Sequence, residues 1–132
     1  MTGLALAFRQ AGAKAANPRW SWSARSENGE IVVMTLWEDL IDFKSAPISY
    51  STFGRANLLS GVMQRGNRES LQNLKWARDE CAGKFRVVIL RAQDPTVEPR
   101  TIKTAHYQAR MIFELTELNE QTGEFRAANV GS

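Results

Sequence analysis

The sequence predicts an α+β fold: a curled antiparallel β-sheet or small open barrel of about five strands, with two packed helices. Two stretches, residues 4–15 and 67–82, carry apolar side chains at helical spacing. Five short runs have the two-residue period or the dense apolar content of strands. Turn-forming dipeptides and Gly-containing loops separate them, and five short strands with one face to hide need only such connections.

The first helix rests on Leu4, Phe8, Ala11 and Ala15, and Asn17-Pro18 ends it because the residue before proline is driven out of the helical region. From Arg19 to Arg25 the period becomes two, with Trp20, Trp22 and Ala24 on one face and Arg19, Ser21, Ser23 and Arg25 on the other. Asn28-Gly29 then predicts a hairpin through a type I′ turn. Setting Glu27 opposite Glu30 places Trp22 across from Thr35, Trp20 across from Trp37 and Arg19 across from Glu38. An aromatic pair and an opposite-charge pair then fall into stabilising positions. The second strand, Ile31 to Glu38, is apolar on both faces and therefore central.

Residues 39–66 are weakly patterned, with Pro47, Gly54, Gly61 and Gly66, and read as a long excursion holding a short helix near Ala56 to Met63. Asn67 caps the second helix, which runs to about Ala82 with Gly83 at its stop position. Leu71, Leu74, Ala77, Cys81 and Ala82 form its apolar face, bordered by Arg68, Lys75 and Arg78. Phe85 to Arg91 is a strand. Residues 93–109 read as a connection in which Pro99 opens a short helix, and Met111 to Leu118 pairs with Gly123 to Ala128 as a second hairpin.

The whole chain, 1–132, is one domain, long enough to bury roughly two-thirds of its unfolded surface. One cysteine permits neither an internal disulfide nor a cysteine-rich zinc site, and one histidine excludes any site needing two imidazoles. No apolar run is long enough to span a bilayer and the N-terminus lacks the pattern of a signal peptide, so the expectation is a cytoplasmic protein with no membrane contact.

The net charge of +3 conceals four blocks: +4 over residues 1–26, −4 over 27–54, +6 over 55–110 and −3 over 111–132. Arginine outnumbers lysine more than two to one, and its planar fork suits phosphate oxygens and stacking on bases. The competing possibility is that blocks of opposite sign pair within the fold.

Enzymatic motifs are sparse. Cys81 falls on a buried helix stripe, where a thiol behaves as a small hydrophobe. His106 is the one imidazole available as a base. Glu38, Asp39 and Asp42 cluster where a strand ends, which suits either a polar exit or a divalent cation. No glycine-rich phosphate loop is present, and no cofactor is expected. The tryptophans at 20, 22 and 37 read as a core cluster. Trp76 lies off its helix's apolar stripe, either exposed or covering the 39–66 stretch.

The leading expectation is a nucleic-acid-binding module using the arginine-rich centre: Arg55, Arg65 and Arg68 at a helix N-terminus, with Lys75, Arg78 and Trp76 beyond them. A second is a protein-interaction domain, as a homo-oligomer or as an inhibitor or adaptor, that meets a protein partner through its charge blocks and tryptophans. A third is a small hydrolase or nuclease drawing on His106 and the Glu38, Asp39 and Asp42 cluster.

Overall fold

The computed structural model describes residues 4–14, 22–54, 64–97 and 101–131, with side chains described for all of these except 64–67. Its elements in chain order are α1 (Leu4–Gln10), β1 (Ser23–Arg25), β2 (Val32–Trp37), a 3₁₀ turn (Glu38–Leu40), β3 (Ile41–Asp42), β4 (Ser49–Ser51), α2 (Gln64–Glu80), β5 (Lys84–Ala92), β6 (Ile102–Leu118) and β7 (Phe125–Asn129). The α+β class holds. The described strands number seven rather than five, in one open sheet ordered β1-β2-β5-β6-β7-β4-β3. The expected all-antiparallel sheet is corrected to a mixed one, because β2 and β5 run parallel, with α2 in the crossover between them.

The first hairpin has the expected register, Ser23 facing Met34 and Arg25 facing Val32, which sets Trp22 opposite Thr35. Trp22 carbonyl accepts bonds from the Thr35 N–H (3.3 Å) and hydroxyl (2.6 Å). The turn itself differs. Ser26 and Ile31 close a four-residue connection, and only Gly29 in it has positive φ (75°), so a type I′ turn is excluded. The partners proposed for Arg19 and Trp20 lie outside the described residues. Val32 to Trp37 is buried on both faces apart from half-buried Thr35, as a strand flanked on both sides requires.

The sheet curls strongly. Five strand spacings separate β2 from β3, about 24 Å if flat, yet the chain passes from Trp37 to Ile41 in a reach of about 14 Å. The Trp37 N–H donates to the Tyr50 hydroxyl of β4 at 3.2 Å, bringing the far edge back to β2. The inside of the curl holds the main core: Met34, Leu36, Ile41, Tyr50, Phe85, Val87, Phe113, Phe125 and Ala127, with Leu74 and Ala77 of α2 laid against it. The outer face of β2 and β5 packs Val33, Trp37, Val88 and Leu90 against Ala7, Phe8 and Ala11 of α1. Each large side chain hidden in these two cores stabilises the fold by about 1.5–3 kcal/mol. Trp22 and Trp37, 5.9 Å apart between ring centroids, belong to the outer one, as core tryptophans.

Helix ends depart from the expected positions. α1 stops at Gln10 in a Schellman motif, with Gly12 at φ 89°, its N–H on the Arg9 carbonyl and the Ala13 N–H on the Phe8 carbonyl. α2 begins at Gln64, so Asn67 is inside it and is not its cap. Its C-terminus carries two left-handed residues, Ala82 (φ 57°) and Gly83 (φ 78°), and Gly83 N–H returns to the Ala77 carbonyl at 2.8 Å.

The 39–66 excursion contains the 3₁₀ turn, β3 and β4, and the helix expected at Ala56 to Met63 lies outside the described residues. The connection expected at 93–109 is the largest correction. From Ile102 it is strand, forming the first half of a 17-residue β6; Pro99 lies outside the described residues. No helix among the described residues is long and apolar enough to cross a membrane.

Candidate functional site

The basic residues singled out on α2 do not converge. Arg68 and Arg78 are ten positions apart, about 15 Å of helix rise. Arg68 is exposed, while Arg55 and the Arg65 side chain lie outside the described residues. Lys75 Nζ lies 3.4 Å from Glu120 Oε1, and Arg78 Nη1 lies 3.6 Å from Oε2 of the same carboxylate, in the β6–β7 loop. Arg78 also bonds Asp79 at 2.9 Å, and that hydrogen bond holds the Asp79 carboxyl below its ordinary value. Basic centre and acidic C-terminal segment therefore pair here.

Trp76 covers the first hairpin. Its Nε1 donates to the Gly29 carbonyl at 2.7 Å, and the Arg25 guanidinium lies 4.2 Å from its ring centroid. With one face under a cation and its nitrogen engaged, the indole is half-buried structure.

A different set of residues does converge, at the C-terminal end of β5. In the β5–β6 pairing Ile89 faces His106 and Arg91 faces Thr104. Val88 faces Tyr107 while Arg86 faces Ile112, so one β5 residue, Val87, stands against four of β6, Gln108 to Met111. Three unmatched residues make a wide bulge, and an odd number reverses the in-out phase of the strand. Thr104 and His106 before the bulge thus share the inner face with Phe113 and Leu115 after it, and Gln108 and Met111 at its two ends line the same cleft or core.

The result is a cleft of about 330 Å³ at the mouth of the curled sheet, lined by Glu38, Phe43, Ile89, Arg91, Thr104, His106, Gln108 and Met111. Mouths of curled sheets are common ligand sites, and this volume lies at the lower end of their range. Glu38 and Arg91 form a two-pronged pair, Nε to Oε1 at 3.2 Å and Nη2 to Oε2 at 3.3 Å. Both are well exposed, so the pair adds at most about 1 kcal/mol to stability while orienting both side chains. Phe43 is 49% exposed, a large apolar ring held beside polar groups.

The acidic cluster therefore divides. Glu38 joins the cleft, and Asp42 accepts bonds from the N–H groups of Lys44 and Ser45 in a turn. Among the described residues no group of three or more His, Cys, Asp and Glu side chains is placed to hold a metal ion. A second cavity, about 430 Å³, lies at the other end of β5, lined in part by Cys81, Lys84 and Arg86. The Cys81 thiol there contacts the Glu30 carbonyl at 3.5 Å, and burial pushes its pKa up, the reverse of an activated nucleophile.

Of the cleft residues, sequence reasoning identified Glu38 and His106 but missed Phe43, Arg91, Thr104 and Gln108. The available signal was the polar-apolar alternation Thr104-Ala105-His106-Tyr107-Gln108, a strand pattern following a proline-containing segment. Comparison with family models, curated proteins and solved structures finds no match to this chain.

Proposed function

We propose that this chain is a nucleic-acid-binding module whose contact surface is the mouth cleft and the part of β6 around it. The observation that carries this reading is that Arg91 and His106 share one cleft with a half-exposed Phe43, while Lys103, on the outer face of the same strand, and Arg110, in its bulge, are exposed and make no ion pair among the described residues. Cationic side chains next to an open aromatic ring are the combination that holds phosphates and unstacked bases. The reading includes a cytoplasmic location, where the free Cys81 thiol stays reduced.

The test is fluorescence anisotropy with labelled single-stranded and duplex oligonucleotides across a salt series. Affinity is expected to fall linearly on a double-logarithmic plot, because each neutralised phosphate releases counterions. Absence of binding to either probe at low salt overturns the proposal.

A hydrolase is the second reading, favoured by Glu38 and His106 lining one cleft. It predicts slow cleavage of a bound oligonucleotide that His106→Ala abolishes. Probe recovered intact from prolonged incubation with the unmodified protein removes it.

A further inference from the structure

The mouth cleft has a chemistry more specific than attraction to phosphate. It offers one aromatic ring, Phe43, open to stacking; one acceptor-only group, the Glu38 carboxylate; and the adaptable Gln108 amide and Thr104 hydroxyl. Two of the roughly four acceptor positions on Glu38 are used by Arg91, one on each oxygen, which fixes the carboxylate plane and leaves acceptor capacity unused among the described residues. A carboxylate held in this way favours a partner with N–H donors and disfavours one with a carbonyl at the same place.

Resting on the nucleic-acid reading above, we infer that the cleft takes a single unstacked nucleobase bearing an exocyclic amino group. The base stacks on Phe43, with its amino hydrogens directed to Glu38 and the rest of its polar edge to Gln108 and Thr104. Arg91 serves as a positioning residue, holding the Glu38 carboxylate in orientation while its charge lies near the backbone of the same nucleotide. The bulge at Gln108–Met111 makes the site possible, since without its phase reversal the inner-facing side chains before and after it would not share a face. Cytosine, adenine and guanine carry the exocyclic amino group; thymine and uracil do not, and offer a single ring N3–H flanked by two carbonyls that the carboxylate disfavours.

The test compares labelled homo-oligonucleotides of deoxycytidine, deoxyadenosine and thymidine, equal in length and charge, with an abasic strand of the same length. The unmodified protein is expected to bind the deoxycytidine strand about 5- to 150-fold more tightly than the abasic one, the fold-change equivalent to one base–aromatic stack. Phe43→Ala is expected to remove that advantage and to leave abasic-strand binding unchanged. Because Phe43 is half exposed, the variant is expected to keep its thermal unfolding midpoint, which circular dichroism checks. E38Q, which replaces an acceptor-only group by one that also donates, is expected to reduce the preference for deoxycytidine over thymidine. Equal affinity for base-bearing and abasic strands, or a Phe43→Ala variant that still distinguishes them, overturns the base site while leaving electrostatic binding intact. No binding to any strand overturns the nucleic-acid reading and this inference together.

Discussion

The Trp76 indole lies across Gly29 so closely that a Cβ at position 29 would stand 2.9 Å from Trp76 Cζ2, while Trp76 Nε1 bonds the Gly29 carbonyl at 2.7 Å. Two requirements thus meet at one glycine: a φ of 75° and an empty α-carbon. Gly29→Ala is expected to destabilise the protein by about 2–3 kcal/mol, combining left-handed backbone strain with loss of the indole hydrogen bond. In a Trp76→Ala background the same substitution is expected to cost only about 1–2 kcal/mol, the backbone part. Urea unfolding of the four proteins in this cycle measures the difference; purely additive costs would show that the contact carries no energy.

Asn73 is a second polar link between α2 and the first hairpin. Its side-chain oxygen accepts from Arg25 Nε (3.2 Å) and Nη2 (3.0 Å), and its amide donates to the buried Ser23 hydroxyl at 2.7 Å. Asn73→Leu keeps the branched outline of the side chain but strands Ser23 and Arg25. A loss of about 1–3 kcal/mol is expected in urea unfolding, the penalty of orphaned buried polar groups. A change below about 0.5 kcal/mol would mean that water replaces the amide.

The 3.6-residue period was sufficient for α1 and α2, in each of which one face meets a core and the other does not, while alternation or dense apolar content marked β1, β2 and β5 as strands, β2 and the middle of β5 being buried on both faces. The hairpin register was legible from the Asn28-Gly29 punctuation and the charges around it. Three things were not. The parallel β2–β5 pairing is long-range and leaves no local mark, since Val32 to Trp37 reads as a buried strand in either orientation. β3 and β4, two and three residues long, are too short to show a period. The cleft depends on an unequal count of residues across two strands at Val87 and Gln108–Met111, which is visible only once the strands are paired. The pairing of charge blocks was open in the sequence, and Lys75 and Arg78 on Glu120, with Arg91 on Glu38, show that part of it occurs.

Ala82 is the one described non-glycine residue with positive φ, and it is exposed at the end of α2. Its Cβ has no compensating burial there, so removing it relieves strain. Ala82→Gly is expected to stabilise the protein by about 0.5–1 kcal/mol, net of the added freedom of the unfolded chain. Thermal unfolding reads this as a rise of a few degrees in Tm; a fall would place the dominant effect in the unfolded state.

Cys81 provides a pH-dependent readout. Burial raises its thiol pKa above the ordinary value, with the Glu80 charge acting in the same direction. The folded protein therefore keeps the thiol proton at pH values where the unfolded chain releases it, and this group's contribution to stability declines as pH climbs through the ordinary thiol range. Iodoacetamide at pH 8 is expected to alkylate Cys81 several-fold more slowly in the native protein than in urea, with Cys81→Ser as the blank. Equal rates would show the thiolate to be fully available in the fold.

Two sets of cations distinguish the α2 face from the mouth. Lys75 and Arg78 are committed to Glu120 and to Asp79, so a phosphate would have to displace carboxylates already in contact. Lys103 and Arg110 are exposed within β6 on either side of His106 in the sequence, Lys103 on the outer face and Arg110 in the bulge. The double variant Lys103→Ala with Arg110→Ala is therefore expected to lower the salt slope of single-strand binding by about 1.4, about 0.7 for each phosphate contact removed. Lys75→Ala with Arg78→Ala is expected to leave the slope unchanged and the affinity within about twofold, with a stability change below about 1 kcal/mol because these pairs are exposed. Slopes measured for the unmodified protein and the two double variants side by side decide the matter: a fall confined to the Lys75 and Arg78 variant would move the interface to α2 and remove the mouth cleft from contention.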